Sequence, residues 1–482
     1  MNPITASKLP PAFLSALSSL PSLSALQTST NPYHLLRHGA GESHHPSLPP
    51  DLIASPSSVE EISALTKLCS LHSVPLIPFG SGTSLEGHVG ATLGGVSLSL
   101  TENFSSLLSV DAESMTCTVQ SGVTRKALNS QLRGTGLSFT VDPGADASIG
   151  GMIATGASGT SAVKYGTMRS NTLAMTVVAP SGDVITCGSA TTKSSAGYDL
   201  RGLMVGSEGT LGTIATATLR LCPLPSYVAV ASVTFDTLSE AAAAVIALLQ
   251  FGVPVAKCEI LDPGAIRAFN AFNASSGAAV PDAPERPTLF LEFHAMSPAS
   301  LDEQTAAAKD ACVGDADSDN SLDDFVASSS PSSELWAARH SLYYASVNLR
   351  PNAKGIVTDA CVPLSELGRV IEETAEDLER AGIVGTTFGH AGDGNFHCIL
   401  PVCEDDSPEY SESVKAFGDR LVSRTLSAGG TCSGEHGVGV GKIEYLKEQY
   451  GPETIEIMRA IKKAIDPKNI MNPGKIFAWE SP

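Results

Sequence analysis

Glycine is concentrated in three short tracts of the first half of the chain, and these tracts constrain the fold more than any other feature. The first, GSGTS at 80–84, directly follows the apolar segment 75–79. The second runs over 142–160, and the third is GSEGTLG at 206–212. Glycine lets a backbone turn sharply and lie directly against another group. Any one tract is equally well a simple turn, but three together favour a bound cofactor.

The first tract indicates how such a cofactor is held. Gly80 and Gly82 can turn several backbone amides toward one point, which holds a pyrophosphate without cationic side chains. The tract is not G-x-G-x-x-G, because the third glycine falls at Gly87, and it lacks the lysine of a P-loop. Rossmann and nucleoside-triphosphate interpretations therefore both fail. The small residues of the second tract offer bare backbone against which a flat ring system can lie.

Composition sets the class of protein. The chain has 482 residues, 42% hydrophobic and 17% charged, which is typical of a compact enzyme of two large domains or about three average ones. The formal net charge of −20 argues against binding to nucleic acid or to anionic membranes, because both surfaces repel an acidic protein. The ten cysteines form no CxxC pair, so we expect a reducing compartment without a disulfide framework.

No membrane-spanning or clear targeting segment is predicted. The longest apolar stretch, 241–256, is interrupted by glycine and proline and is shorter than the roughly 18 residues that indicate a spanning helix. The first acidic residue is Glu42, and only Lys8 and Arg37 precede it as fixed cations, which makes a weak mitochondrial presequence. A first helix of the folded protein at 11–20 is the favoured interpretation.

The remaining patterns predict a mixture of strands and helices. A capping box of Ser58 and Glu61 opens the clearest helix, and Pro223 with Pro225 marks a boundary. The acidic, serine-rich stretch 314–333 is predicted to be an exposed loop. The predicted strands are 75–79, 96–100, 116–120, 174–179, 213–221, 228–235, 257–261, 288–293, 383–388 and 396–402. The predicted helices are 58–72, 124–133, 238–251, 334–348 and 364–381.

Two short motifs in the second half carry metal-binding side chains. GHAGDGNFH at 389–397 lies between two predicted strands and places His390 and His397 near their ends. SGEHG at 433–437 adds Glu435 and His436. Two imidazoles and one carboxylate suit Zn²⁺ or Mn²⁺ with positions left open for a substrate. A lone histidine is more often structural, but the paired motifs favour a site.

Several segments resemble one flavoprotein family. PFGSGTSLEG at 78–87, DPGADASIGGMIATGASGT at 142–160 and GYDLRGLMVGSEGTLG at 197–212 are similar to the FAD domain of vanillyl-alcohol oxidase/PCMH-type (type 4) flavoproteins. VTRKALN at 123–129 and LWAARH at 335–340 resemble the D-lactate dehydrogenase (cytochrome) branch. DPKNIMNPGKIF at 466–477 resembles the C-terminal segment that returns to the flavin.

The resemblance implies an α+β fold of three segments. A PCMH-type FAD-binding domain of two α+β subdomains would occupy 1–224, with its core at about 46–224. An α+β cap domain carrying the metal site would occupy 225–440, and a C-terminal helical segment, 441–482, would return to the FAD domain. FAD is expected to be non-covalent, because nothing around His88, after the first glycine loop, requires a bond there.

The resemblance also assigns residues. It implies His390, His397 and Glu435 as metal ligands, His436 as the catalytic base, and Arg339 and Lys354 as cations for the substrate carboxylate. The implied FAD contacts come from the three tracts and the C-terminal segment: Pro78, Gly80, Ser81, Gly82, Thr83, Ser84, Pro143, Gly144, Ser148, Ile149, Gly150, Gly151, Thr155, Gly156, Ser158, Gly159, Tyr165, Gly166, Glu208, Gly209, Gly212, Ile214 and Asn472.

The implied activity is oxidation of a small D-2-hydroxy acid, foremost D-lactate, to the 2-oxo acid. The base would take the hydroxyl proton while hydride passes from Cα to the flavin. Cytochrome c or a similar one-electron carrier at mitochondria would reoxidise the flavin, and a homodimer is left open. Three alternatives stand beside this prediction: D-2-hydroxyglutarate or glycolate as the substrate, a flavin-free metal-dependent hydrolase, and a non-catalytic binding protein.

Overall fold

The computed structural model describes residues 9–276, 283–313, 325–328 and 333–478, which form two compact units. The first unit holds the described residues up to Ser158, Gly166–Leu224, and those from Glu435 on. The second unit holds Gly159–Tyr165 and Pro225–Gly434. Two expected boundaries shift. The second unit ends at Gly434 rather than at 440, and 159–165 belongs to it because the Tyr165 hydroxyl hydrogen-bonds to His294.

The N-terminal part of the first unit is a four-stranded sheet with helices. The strands are β1 (Gln27–Ser29), β2 (Leu52–Ser55), β3 (Leu76–Phe79) and β4 (Val96–Ser99), in the order β1-β2-β4-β3. The last three run parallel. Its helices are α1 (Pro11–Ser19), α2 (Pro32–Ala40) and α3 (Val59–His72).

The predicted start of α3 is confirmed at the first half of its capping box. The Ser58 hydroxyl accepts the Glu61 amide at 3.2 Å. The Glu61 carboxylate turns back to the amide and hydroxyl of Ser57, one residue earlier than the motif predicts. The helix is therefore closed at its N-terminus by three residues rather than two.

An antiparallel five-stranded sheet completes the first unit. Its order is β5-β6-β10-β8-β9, with a two-stranded ribbon of β7 and β11 beside it. The strands are β5 (Leu107–Asp111), β6 (Thr116–Gln120), β7 (Leu137–Ser138), β8 (Thr172–Val178), β9 (Val184–Gly188), β10 (Thr213–Arg220) and β11 (Cys222–Pro223). The helices are α4 (Arg125–Gln131), α5 (Ile149–Thr155), α7 (Met168–Asn171) and α8 (Leu200–Met204), whereas α6 (Ala162–Tyr165) falls in the second unit.

The chain after Glu435 returns to the first sheet. Helix α15 (Ile443–Ile465) is broken at Gly451, where φ is +74° and proline follows. Beyond the helix, the Leu76 amide donates to the carbonyl of Ile470, and the Asn472 amide donates to the carbonyl of Leu76. The returning segment therefore lies along β3, directly before the first glycine tract.

The second unit is one antiparallel eight-stranded sheet with helices on both faces. Its order is β15-β12-β14-β13-β18-β19-β16, with β17 paired to β19. The strands are β12 (Tyr227–Thr234), β13 (Val255–Leu261), β14 (Thr288–Ala295), β15 (Phe325–Ser328), β16 (Lys354–Val357), β17 (Ala360–Cys361), β18 (Thr386–His390) and β19 (Asn395–Val402). The helices are α9 (Leu238–Gln250), α10 (Pro263–Ser276), α11 (Pro298–Val313), α12 (Ser333–Val347), α13 (Leu364–Arg380) and α14 (Pro408–Ser427).

Strand β15 corrects the predicted loop at 314–333. Residues 314–324 and 329–332 lie outside the described residues, but Phe325–Ser328 pairs with β12 in the sheet. The prediction missed this strand because its four residues, which include strand-forming phenylalanine and valine, are surrounded in sequence by acidic residues and serines. Elsewhere the helices and strands confirm the predicted α+β class, and no described helix is long and apolar enough to cross a membrane.

The end of β13 provides a test of buried charge. The Asp262 carboxylate accepts the Ala265 amide at 2.6 Å, and burial raises the pKa of this carboxyl to about 7. The unfolded pKa lies near 3.8, so between about pH 4 and pH 7 the folded state binds more protons, and stability falls as pH rises through that window. Above pH 7 the native state bears the full cost of a buried charge.

We therefore expect Asp262→Asn to stabilise the protein at pH 8 by on the order of 2–4 kcal/mol and to change its stability little near pH 4. Asparagine can still accept the Ala265 amide. Denaturant unfolding of both proteins at pH 4, 6 and 8 measures the difference. A gain in stability that is the same at all three values would contradict the buried-charge explanation.

Candidate active site

The three glycine tracts meet within the first unit. A Cβ atom on Gly80 would lie 2.1 Å from the Ser148 hydroxyl, so the first tract touches the second through bare backbone. The Glu208 amide donates to the carbonyl of Ala154 at 2.8 Å, which joins the third tract to the second. A Cβ on Gly209 would contact Pro78 at 3.2 Å, which joins the third tract to the strand directly before the first tract. The close approaches explain why glycine is needed at Gly80 and Gly209.

The tracts present polar groups that suit a bound dinucleotide. The buried hydroxyl oxygens of Ser81, Ser84 and Ser207 have no hydrogen-bond partner among the described residues. A buried hydroxyl without a partner costs about 1–3 kcal/mol. Three such hydroxyls in the glycine cradle, the surface formed by the tracts 80–84, 142–160 and 206–212, therefore indicate that a polar ligand satisfies them. Gly82, at φ +72° against the ring of Phe79, makes the turn that carries the first two. The residues present therefore fit the pyrophosphate and ribose groups of FAD.

Several of the predicted cofactor residues have a defined role in the protein itself. Ser148 caps α5 by accepting the Gly151 amide, and the Ser158 hydroxyl donates to Glu435 at 2.7 Å. Asn472 donates its side-chain amide to the carbonyls of His88 and Glu208. Gly159 and Tyr165 lie in the second unit. The positions that remain on the cradle are mostly backbone positions of the glycine tracts.

The histidine motif forms a hairpin in the second unit. His390 ends β18 and His397 lies in β19, and the two rings are 5.5 Å apart at an interplanar angle of 79°. The predicted first strand, 383–388, is observed two to three residues later, so His390 lies within the strand rather than after it. Both histidines are buried.

Hydrogen bonds fix the tautomer of both rings. The Nδ1 of His390 lies 2.6 Å from Glu259 Oε1, and the Nδ1 of His397 lies 3.0 Å from the carbonyl oxygen of Thr358. A carboxylate and a carbonyl only accept, so each Nδ1 carries a proton, and in the neutral ring each Nε2 carries the lone pair. Metal-binding histidines are usually held in this way by an acceptor behind the ring. The hairpin therefore presents two imidazoles in the metal-binding form.

Glu259 is a functional candidate that sequence analysis missed. It lies in β13 directly opposite His390, is fully buried, and also accepts Arg339 Nε at 2.7 Å and Nη2 at 2.6 Å. Burial opposes ionisation of Glu259, but Arg339 and His390 outweigh it and lower the pKa of this carboxyl to about 2. The signal in the sequence is a single carboxylate within the otherwise apolar end of β13, CEIL at 258–261.

The two predicted substrate cations have different environments. Arg339 is buried in α12, and its guanidinium lies 4.5 Å from the ring centroid of Phe388. Lys354 is exposed and pairs with Glu404 at 3.2 Å. Lys354 lies opposite Val402 in the sheet, five residues along β19 from His397. That separation is about 17 Å, and the two side chains point to opposite faces, so Lys354 leaves the candidate set.

Glu435 and His436 begin the last segment of the first unit. The Glu435 carboxylate accepts the Ser158 hydroxyl. In the chain, Glu435 directly follows Gly434, the last residue of the second unit. After His436 the chain passes through Gly437 at φ +79°. The next two amides, of Val438 and Gly439, donate to the carboxylate of Glu208 at 2.6 and 2.8 Å.

Two family models match the chain. One, described as an FAD binding domain, matches residues 50–188, and the other, FAD linked oxidases, C-terminal domain, matches 224–476. The chain belongs to the family of FAD-linked oxidases. FAD is accordingly its cofactor, in keeping with the glycine cradle, and a hydrolase without flavin finds no support in either match.

Curated relatives of this FAD-linked oxidase confirm its resemblance to one branch. "Probable D-lactate dehydrogenase, mitochondrial" of Danio rerio is 46% identical over 92% of this chain and 87% of its own length. "D-lactate dehydrogenase [cytochrome], mitochondrial" of Arabidopsis thaliana is 40% identical over 89% of this chain and 73% of its own. A D-2-hydroxyglutarate dehydrogenase of Xanthomonas citri is 33% identical over 97% of both. The chain is an FAD-dependent oxidoreductase of this group.

Solved structures agree in fold. The 4-ethylphenol oxidase of Gulosibacter chungangensis superposes with a TM-score of 0.76 at 17% identity, over 99% of both chains. A p-cresol methylhydroxylase gives 0.75 at 16% identity, over 98% of both. At such identity the likeness concerns the fold alone, and it confirms the predicted PCMH-type architecture.

Proposed function

We propose that this FAD-linked oxidase oxidises D-lactate to pyruvate with a divalent metal held by His390, His397 and Glu435. The observation that carries the proposal is the pair of buried imidazoles whose Nδ1 atoms are both occupied by acceptors. The D-lactate dehydrogenases among its relatives support the choice of substrate. Two histidines and one carboxylate suit Zn²⁺ or Mn²⁺.

When bound at these residues, the divalent cation would supply a Lewis acid and FAD a hydride acceptor, which is chemistry that side chains lack. The protein supplies orientation and proton transfer. His436 is the base that takes the hydroxyl proton, next in the chain to the ligand Glu435. We place FAD, bound without a covalent link, on the glycine cradle of the first unit.

Arg339 is proposed to bind the substrate carboxylate. Glu259 occupies its Nε and Nη2 atoms, so the remaining Nη1 group would meet the carboxylate. The same contact holds the guanidinium in one orientation, which lowers the entropy lost on binding. Lys354 is not part of the proposed site.

The neighbours of His397 favour a small substrate. Phe388 lies opposite His397 in the sheet, and Ile399, two residues on, lies opposite Val357. All three side chains share the face of His397 and are apolar. A methyl group suits such a surface, whereas burying the second carboxylate of 2-hydroxyglutarate against it would carry a desolvation cost. This supports D-lactate over D-2-hydroxyglutarate, while glycolate remains the second candidate because it only lacks the methyl group.

The electron acceptor is proposed to be cytochrome c or a similar one-electron carrier at mitochondria. Relatives named as cytochrome-type and mitochondrial enzymes support both parts. A net charge of −20 would also attract a basic carrier during encounter. Stopped-flow reoxidation of the reduced enzyme by cytochrome c at rising ionic strength tests this attraction, which screening weakens.

Anaerobic reduction of the flavin tests the proposed function. We expect D-lactate to bleach the flavin absorbance rapidly, glycolate to do so more slowly, and L-lactate and D-2-hydroxyglutarate to have little effect. Removing the metal with a chelator should abolish bleaching, and Zn²⁺ or Mn²⁺ should restore it. Reduction by D-2-hydroxyglutarate alone would change the substrate, and bleaching that survives complete metal removal would contradict the metal's role.

A further inference from the structure

Residues 435–442, here called the base loop, contact a buried carboxylate directly after His436. Glu208 Oε1 accepts the amide of Val438, and Oε2 accepts the amide of Gly439. We propose that Glu208 is a positioning residue, which holds the base loop so that His436 is oriented for proton removal. The proposal rests on the proposed function, in which His436 is the base.

Glu208 is itself held in place on both sides. Its φ of +54° lies in the left-handed region, which non-glycine residues rarely occupy. Its amide donates to the carbonyl of Ala154, and its carbonyl accepts the Asn472 side chain at 2.7 Å. Such a backbone is retained only where the surroundings determine it, and here it directs the carboxylate at the base loop.

The base loop lies directly on this carboxylate at Gly437. A Cβ atom there would be 2.7 Å from His88 Nε2 and 2.8 Å from Glu208 Oε1. His88 and Glu208 are buried, and His88 Nε2 lies 3.2 Å from Glu208 Oε2. The residue after His436 therefore has no room for a side chain, and its backbone packs against the His88–Glu208 pair.

Anchors on both sides of His436 restrict its backbone. Glu435 accepts the Ser158 hydroxyl at 2.7 Å. Further along, the Val440 amide donates to the carbonyl of Glu86 at 2.8 Å, and Gly439 accepts the Ile476 amide at 3.0 Å. Among these contacts, the two to Glu208 are nearest in sequence to His436 on its C-terminal side, and both are charge-assisted.

Resemblance alone places Glu208 against the cofactor, but its surroundings argue otherwise. Both carboxylate oxygens accept backbone amides of the base loop, so the side chain is directed at that loop. Burial opposes ionisation, yet His88 and the two amides hold the pKa of Glu208 below its usual range. An ionised carboxylate would also repel a pyrophosphate.

Glu208→Gln tests the proposal with little change of shape. Glutamine keeps one acceptor oxygen and turns an NH₂ group toward the other amide donor. With FAD saturating, we expect the limiting rate of flavin reduction by D-lactate to fall about 10- to 100-fold. The D-lactate concentration for half-maximal rate should change little. Glu208→Ala should be slower still, which makes the glutamine variant a partial rescue.

The matched control is Glu61→Gln. Glu61 is also a buried carboxylate of the first unit, but its carboxylate accepts the amide, at 2.6 Å, and the hydroxyl of Ser57, which lies outside the base loop. The rate of flavin reduction should not change in this variant. A comparable loss in both variants would show a general effect of removing a buried charge and would overturn the proposal.

Hydrogen–deuterium exchange of the peptide covering 435–442 gives a second readout that needs no substrate. Exchange should be faster in Glu208→Gln than in wild type and unchanged in Glu61→Gln. Unchanged exchange would refute the contact, and faster exchange with a normal rate of flavin reduction would refute the positioning role. If no 2-hydroxy acid reduces the wild-type flavin, the proposed function fails, while exchange still tests how the base loop is held.

Discussion

His397→Ala is expected to lose most of its divalent metal and to be reduced by D-lactate about 10³-fold more slowly than wild type, while keeping its FAD. Metal affinity falls because only two of the three ligands remain. Without the cation, the barrier to substrate oxidation rises by several kcal/mol, which corresponds to a rate about three powers of ten lower. FAD is retained because the glycine cradle belongs to the first unit, whereas His397 belongs to the second. Elemental analysis, flavin absorbance and stopped-flow reduction measure the three quantities.

Two companion variants separate metal binding from proton transfer. His436→Asn should keep the metal and still be about 10²- to 10⁴-fold slower, the usual contribution of a general base. His34→Ala, at an exposed position on α2, should match wild type in all three measurements. Normal metal content in His397→Ala would remove His397 from the ligand set, and normal flavin reduction in His436→Asn would remove it as the base.

Local patterns in the sequence predicted the elements that carry the site, because their causes are local. The Ser58 cap starts α3 where expected, and the apolar segment before the first glycine tract is β3. The hairpin around His390 was also predicted, with its first strand placed too early. Residues 383–385 read as apolar and strand-like, but glycine at 385 leaves the pairing with β19 to begin at Thr386.

Contacts between distant residues could not be predicted in the same way. Glu259 meets its partners 80 and 131 residues away in the chain, so no spacing rule links them. Glu259 was missed, whereas Lys354 was assigned to the site although it lies away from His397. The family resemblance assigned it to the same site as Arg339. Arg339 lies in α12, whereas Lys354 opens β16, and the strand register places Lys354 on the other face from His397. Register is fixed by the whole sheet, not by a local motif.

The Glu259 contacts lead to a prediction in which stability and metal affinity separate. Glu259→Gln leaves Arg339 buried without a counter-charge, which should lower the free energy of unfolding by about 3–5 kcal/mol in metal-free protein. Glutamine still accepts the His390 Nδ1 proton but no longer as a carboxylate, so metal affinity should fall about 10- to 100-fold. Denaturant unfolding and metal titration measure the two effects.

The double variant Glu259→Gln/Arg339→Met distinguishes the two causes. Removing both charges should restore most of the stability, because an apolar side chain of similar volume replaces the buried cation. Metal affinity should stay low, because the acceptor behind His390 is still neutral. Recovery of both quantities would mean that the single variant loses metal only through unfolding. Recovery of stability alone would show that Glu259 acts on the metal through the imidazole of His390, which makes one carboxylate responsible for the orientation of both a metal ligand and the substrate-binding arginine.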